Sequence, residues 1–532
     1  RRDMTTPARV SDWQGQMRVA LLLWLATLVL FLSGLGIEPL RDWEEGTYAQ
    51  VAREMLSGDG HGFLFPQRWG EPYLNKPPLG PGLIALAFAA LGESSFAARL
   101  PMALVTSMVV PLLYLVARAG GMSRQPALLG AVICLTLLPV MRHGRLAMLD
   151  GPVLAFALTM FLFLLKSAPG RWKWAFPAGL SISGIALTKG VLAVPFVVIG
   201  LTFLAMKHAP TLTRKQFWGA LFLGLVPFMA WLAAQFLYYG LDYAHTAVFG
   251  QGIARVALSV DGNAGSPWYY ILEILKYGWP WLTFLPAGLA VTWRARHEYW
   301  AVLALVLLVG FTLLVTLMPT KLPWYIYPVW PALALICGAG LQSAMQRPRA
   351  PERMILPVLA LAGGAASWYF SPLGPDPVPV LLVAGIILAL GAALTFWLWQ
   401  RNPRLGGWLL LALVYGVLLL FALSGRSVWE LNEDYPAPPV AEAIRHHIPA
   451  DAPLFTTHPH HRPSLDFYAG RPVLPHPASA LHGALHEDAP SYWVVHARDL
   501  ADLDEAAVTP LAAIGTMRLI RAGGEVAQDP AQ

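Results

Sequence analysis

Of 532 residues, 56% are hydrophobic and only 13% charged, about half the charged share of a soluble domain. A mean hydropathy of +0.53 excludes an ordinary soluble enzyme and places most of the chain in lipid. The formal charge of +6 is dispersed over short loops between apolar runs, which excludes a nucleic-acid-binding face. Cys134 and Cys337 fall inside apolar runs and read as small buried hydrophobes, not as a disulfide framework.

The first apolar run, 17–37, follows Arg1, Arg2, Arg9 and Arg18. It is long for a secretion signal and lacks a small-residue cleavage site, so it reads as a retained signal anchor. Arg41-Asp42-Trp43-Glu44-Glu45-Gly46-Thr47-Tyr48 then places three carboxylates directly beyond it. Tyr48, Val51, Ala52, Met55 and Leu56 recur at helical spacing and predict an amphipathic helix over 47–57, ended by Gly58-Asp59-Gly60. Asn75-Lys76-Pro77-Pro78-Leu79 comes next. Proline in a first helical turn presets the backbone, which puts Lys76 just before a helix N-terminus, where free N–H groups suit an anion. That helix, to Leu91, is too short and too rich in Gly and Pro for a span, and is expected to lie at the membrane interface.

Further spans are predicted at 99–117, 125–141, 150–165, 174–188, 190–206, 217–239, 279–293, 299–318, 325–345, 354–370, 379–399 and 405–424, thirteen with the first. With a cytoplasmic N-terminus (1–16), the interior loops hold Arg118 and Arg124; Lys166, Arg171 and Lys173; Lys207, Arg214 and Lys215; Arg294 and Arg296; Arg347, Arg349 and Arg353; Arg401 and Arg404. This is the positive-inside pattern, and an odd number of spans places 425–532 outside. The exterior segments are then the loop 38–98, the junction 142–150, the loop 240–278 and the turn Pro319–Tyr325.

Arg142, His143, Arg145 and Asp150 cluster at that exterior junction, where two arginines run against the charge rule. Lys189 and Lys321 occupy other exterior turns, and Arg255 and Lys276 lie in the loop 240–278. Lys76, Arg142, Arg145, Lys189, Arg255 and Lys321 thus share the exterior face with Glu44, Glu45 and Asp150. An anionic, membrane-borne substrate handled beside acid–base groups is the simplest physical reading, and phosphate is the obvious anion. The plain alternatives are that the acids mark the membrane boundary and that Lys76 meets lipid headgroups. A transporter would instead show internal repeats and polar groups at mid-membrane. A non-catalytic lipid-binding protein is the other rival class.

Four pieces in order carry a family resemblance: Trp43-Glu44-Glu45-Gly46-Thr47-Tyr48-Ala49-Gln50-Val51-Ala52-Arg53-Glu54-Met55; Asn75-Lys76-Pro77-Pro78-Leu79; Arg145-Leu146-Ala147-Met148-Leu149-Asp150; and Lys321-Leu322-Pro323-Trp324-Tyr325-Ile326-Tyr327-Pro328. The chain resembles the GT-C superfamily of lipid-linked glycosyltransferases, within it the family of the lipid A aminoarabinose transferase and its protein O-mannosyltransferase relatives. The resemblance implies an all-α membrane bundle, a polyprenyl-phosphate sugar donor, and inverting transfer to a lipid, protein or polysaccharide acceptor at the outer face of the inner membrane. It implies Glu44, paired with Glu45, as the catalytic carboxylate and Asp150 as the second acid. Lys76, Lys189 and Arg255 match positions that would hold the donor phosphate, with Tyr325 as an aromatic beside it. Three departures stand out. Glu44 replaces the usual Asp, and Thr47 stands where the close relative has an Arg. The relative's metal-binding Glu is Asn75 here and its metal-binding His falls at Gly252 or Gln251, so a metal site copied from that relative is not expected, and a divalent metal held otherwise stays open.

Pro436-Ala437-Pro438-Pro439 reads as a linker, 440–448 as a helix, and 453–457, 471–474 and 491–495 as short strands, together a small extracytoplasmic α/β domain over 425–532. Pro463 to Pro472 resembles the tail of the same family. His458, His460 and His461, with His476, His482 and His486 beyond, are interrupted by prolines and read as a polar loop in preference to a ligand set.

Overall fold

The computed structural model describes residues 13–42, 44–57, 61–167, 171–253, 265–347, 350–428, 435–485, 487, 489–500 and 508–523. The chain forms two compact units, one of 1–37, 74–83 and 99–427, the other of 38–73, 84–98 and 428–532.

The first unit is a helical bundle. Among the described residues nine helical segments are long and apolar enough to cross a membrane. One of them, Trp172–Leu212, is two helices, Ala175–Lys189 and Ala193–Leu212, separated by the tight turn Gly190–Leu192. Three of the thirteen expected runs are shorter helices than a full span: Arg124–Thr136, Leu285–Arg294 and Ile355–Tyr369. The run expected over 125–141 breaks at Leu137 (φ −75°, ψ 121°) and resumes as Leu138–His143. Pro139 is the cause, since it has no N–H for the carbonyl four residues back and its ring would clash there.

Glycines let the bundle close. A Cβ at Gly338 would lie 2.5 Å from the Gly130 nitrogen, and one at Gly288 would lie 2.0 Å from the Ile336 carbonyl oxygen. Helices Arg124–Thr136, Leu285–Arg294 and Trp330–Gln346 therefore approach backbone to backbone, as apolar helices do where lipid supplies no hydrophobic drive.

The second unit is α/β. Its sheet runs in the order β4-β3-β5-β7-β6, with β3 Leu454–Thr456, β4 Leu474–Pro475, β5 Ser491–His496, β6 Val508–Ile514 and β7 Met517–Ala522. β3 pairs in parallel with β4 and β5, and β7 pairs antiparallel with β5 and β6. Alternation along β5 sends Val494 to a core with Val440, Ile444 and Leu465, and sends Trp493 and Val495 to a second core with Leu481 and Ile520. The first two strands, β1 Gln67–Arg68 and β2 Glu71–Pro72, form a separate hairpin. Within this unit the segments 38–73 and 84–98 pack with the C-terminal segment. The Tyr468 hydroxyl accepts the Leu40 N–H at 2.7 Å and lies 3.0 Å from the Ser95 hydroxyl. The Arg53 guanidinium bonds Glu93 and lies 4.0 Å over the Phe467 ring.

Candidate active site

In the membrane unit, Asp150 opens the helix Asp150–Ser167 and Lys189 closes the helix Ala175–Lys189. An acid at a helix N-terminus and a base at a C-terminus each complement the local dipole. The two meet in an ion pair of 2.7 Å, with side chains only 7% and 11% exposed. Gly190 follows with φ +56°, a left-handed conformation that a side chain would resist. A Cβ on it would come within 3.9 Å of Pro77, and one on Gly80 would come within 2.2 Å of Leu149. The loop Asn75-Lys76-Pro77-Pro78, the start of helix Leu79–Leu91, Leu149-Asp150 and Lys189-Gly190 therefore converge. Lys76 is half-buried there. This brings together three of the groups that the sequence singled out.

Arg142, His143 and Arg145 are all buried. Arg145 donates to the carbonyls of Phe31 (3.0 Å) and Ser33 at the end of helix Trp13–Leu32, and Arg99 donates to that of Leu35 at 3.1 Å. His143 packs against the Tyr327 ring edge to face at 5.9 Å, and the Tyr327 hydroxyl donates to the Val140 carbonyl at 3.2 Å. The Lys321 ammonium donates to the carbonyls of Val315 (2.9 Å), Thr316 (2.8 Å) and Met318, ending helix Tyr299–Leu317. Arg145 and Lys321, expected at the donor phosphate, thus spend hydrogen bonds on helix ends; an ammonium has three donors, and Lys321 gives all three to carbonyls. Tyr325 is half-buried in the turn Pro323–Val329. Arg255 lies outside the described residues.

In the α/β unit the carboxylate helix spans Glu44–Ser57, starting three residues before the expected 47, with both acids in its first turn. Glu45 is 1% exposed, and its Oε2 accepts the Arg41 N–H at 3.0 Å while the Gly46 N–H donates to the Arg41 carbonyl at 3.1 Å. Two reciprocal bonds thereby satisfy groups that a helix start leaves open. Glu44 is the more exposed of the pair. Helix Pro463–Ala469 packs on this helix: a Cβ at Gly46 would lie 2.4 Å from the Ser464 nitrogen.

A buried polar cluster surrounds that contact. Asp42 Oδ2 accepts the Arg462 Nε–H at 2.5 Å, and its Oδ1 accepts both the N–H (3.1 Å) and the hydroxyl of Ser464. Arg462 donates to the Tyr435 carbonyl at 2.8 Å and lies 4.0 Å over that ring. Asp466 accepts the Val473 N–H at 3.0 Å, and its other oxygen lies 3.0 Å from His461 Nε2. Burial pushes the Asp466 carboxyl up to about 7 and the His461 ring down, so the neutral pair is favoured over the ion pair. Sequence reasoning missed Asp42, Arg462, Ser464 and Asp466 as a cluster. The signal available was the third acid beside Glu44 and the flagged stretch 463–472.

The His458 Nδ1 lies 2.9 Å from the His460 carbonyl oxygen, and its ring packs edge to face on Tyr435. Among the described residues no three His, Cys, Asp or Glu side chains are grouped to hold a metal ion. His486 lies outside the described residues.

A family model described as dolichyl-phosphate-mannose-protein mannosyltransferase matches residues 22–241. An undecaprenyl phosphate-alpha-4-amino-4-deoxy-L-arabinose arabinosyl transferase of Pseudomonas fluorescens is 30% identical over 421 residues, 75% of each chain. One from Aeromonas salmonicida is 30% identical over 327 residues, 59% of this chain and 58% of that one. In fold, the chain is similar to ArnT from Cupriavidus metallidurans, solved bound to undecaprenyl phosphate, with TM-score 0.71 at 18% identity over 97% of this chain and 100% of that one. The archaeal oligosaccharyltransferase AglB from Archaeoglobus fulgidus shares the fold more distantly, with TM-score 0.52 at 11% identity over 92% of this chain and 70% of that one. A multi-pass helical membrane protein with this ancestry is an enzyme, and the chain belongs to the polyprenyl-phosphate-dependent glycosyltransferases of the GT-C superfamily, the family of the aminoarabinose transferases.

Proposed function

We propose that this enzyme moves a sugar from a polyprenyl-phosphate donor to a hydroxyl or amine acceptor at the outer face of the bacterial inner membrane, with inversion at the anomeric carbon. The observation that carries the reading is the 30% identity to an arabinosyl transferase over three quarters of both chains. The N-terminus is cytoplasmic and 425–532 periplasmic, on the charge of the short loops.

In the transfer the bond from the anomeric carbon to the phosphate oxygen breaks, and its electron pair leaves with the polyprenyl phosphate. The acceptor oxygen or nitrogen forms the new bond and gives up a proton. Glu44 takes that proton or orients the acceptor, supported by Glu45 and Asp150. Lys76, Arg142, Lys189 and Tyr325, with Arg255 on the family resemblance alone, are the groups that would stabilise the charge growing on the donor phosphate. Arg145 and Lys321 shape this region by ending helices. A phosphate is already a good leaving group, so no covalent enzyme intermediate is needed. The acceptor is a lipid, a protein or a polysaccharide.

Purified protein in liposomes, given a panel of polyprenyl-phosphate sugars and cell-envelope extract, is expected to release free polyprenyl phosphate, read by mass spectrometry. Lack of release with every donor in the panel would overturn the reading.

A further inference from the structure

Asp42 stands two residues before Glu44 and is 5% exposed. Both of its oxygens are held by the segment Arg462–Ser464, some 420 residues away in the chain: Arg462 on Oδ2 and Ser464, through N–H and hydroxyl, on Oδ1. Gly46, two residues after Glu44, rests on the backbone of the same stretch, with the Pro463 carbonyl carbon 2.6 Å from where a Cβ would sit. The first turn of the carboxylate helix is therefore pinned on both sides of Glu44 to one tripeptide. Arg462 is itself fixed by the Tyr435 carbonyl and ring.

A buried ion pair adds little net stability over well-packed apolar groups, so it is poorly explained as a stabilising device. What the planar guanidinium does supply is direction: its Nε–H binds Asp42 while a second N–H of the same plane binds the Tyr435 carbonyl. Misplacing a reacting group by about 1 Å costs on the order of a hundredfold in rate. Glu44 carries one more rotatable bond than an Asp would, so its reach depends on a well-fixed helix start.

We propose that Arg462 is a positioning residue for glycosyl transfer, acting through Asp42 to hold the helix turn that presents the Glu44 carboxylate. The C-terminal segment is then part of the catalytic scaffold. This rests on Glu44 as the base.

The test uses full-length protein in liposomes with the polyprenyl-phosphate sugar that supports release. Arg462→Lys keeps the charge but loses the planar donor set that reaches Asp42 and Tyr435 together; Asp42→Asn keeps the shape and the Ser464 bonds. Each is expected to lower kcat at least tenfold with donor KM within twofold, while limited proteolysis and melting temperature confirm a folded periplasmic unit. The decisive readout is the combination with Glu44→Gln. A positioning role acts only through Glu44, so adding Arg462→Lys is expected to change the residual Glu44→Gln rate less than twofold. A merely structural role would multiply the two losses and overturn the proposal, as would folded Arg462→Lys and Asp42→Asn variants with wild-type kcat. If Glu44→Gln alone keeps the wild-type rate, the base assignment fails, and the positioning role falls with it.

Discussion

Replacing Gly46 by alanine tests the packing of the carboxylate helix directly. The new methyl carbon would lie 2.4, 2.6 and 2.7 Å from the Ser464 nitrogen and the Pro463 carbonyl carbon and oxygen. All three are main-chain atoms, so no side-chain rotation relieves the overlap. Overpacking of this kind costs roughly 1–3 kcal/mol, and rigid backbone neighbours argue for the upper end. Alanine returns about 1 kcal/mol of helix propensity, leaving a net loss of about 2 kcal/mol. Hydrogen exchange of the Glu44–Ser57 amides, followed by mass spectrometry in detergent, would then speed up about thirtyfold for protons that exchange by opening this contact. Gly483 is the control. It sits in helix Ala478–Ala484 with open space where a Cβ would go, so Gly483→Ala should leave exchange unchanged or slower. Unchanged or increased protection of Glu44–Ser57 in Gly46→Ala would refute the close approach.

The remaining predictions concern charge. Asp466 has its pKa raised to about 7 by burial, so the native unit holds a proton that the unfolded chain has already lost. Its contribution therefore weakens as pH rises from about 4 through about 7, and Asp466→Asn, which can still accept the Val473 N–H, should raise the melting temperature of the α/β unit above pH 7 and flatten that slope. His461, lowered by burial, acts oppositely and weakens the unit as pH falls below the ordinary histidine range. Breaking the Asp150–Lys189 pair by Lys189→Met should cost about 3 kcal/mol or more by leaving a buried charge, and the double variant Asp150→Asn/Lys189→Met should recover part of it in a thermal melt. Lys321→Met should lower stability with donor KM within twofold, because its ammonium serves carbonyls, whereas Lys76→Met should raise donor KM at least tenfold.

Much of this architecture is legible from hydropathy, because a backbone in lipid must satisfy its own hydrogen bonds and so declares each helix as a long apolar run. The runs predicted at 174–188, 299–318 and 379–399 match helices Ala175–Lys189, Tyr299–Leu317 and Pro379–Arg401 within two residues at each end. Periodicity placed the carboxylate helix late, since it registers only from Tyr48, whereas Glu44 and Glu45 join the first turn for an electrostatic reason that apolar spacing cannot show. The sequence alone gives no clear signal for strands β6 and β7. β6 holds Pro510 and an irregularity between Pro510 and Ala512, which blurs its alternation, and β7 is buried on both faces. The pairing of Asp42 with Arg462 is long-range and carries no local signature. The carbonyls that Arg145 and Lys321 engage leave no mark in the sequence, which lists donors without the acceptors that take them up.

On the proposed function, a carboxylate on the Glu44–Ser57 helix drives sugar transfer from a polyprenyl phosphate. The most direct measurement is acceptor-dependent release of polyprenyl phosphate by wild-type protein and by Glu44→Gln, side by side in proteoliposomes of matched protein content. Wild type is expected to complete multiple turnovers, and Glu44→Gln to lose at least a hundredfold in kcat with donor binding retained. Equal release by the two proteins would contradict this role of the carboxylate.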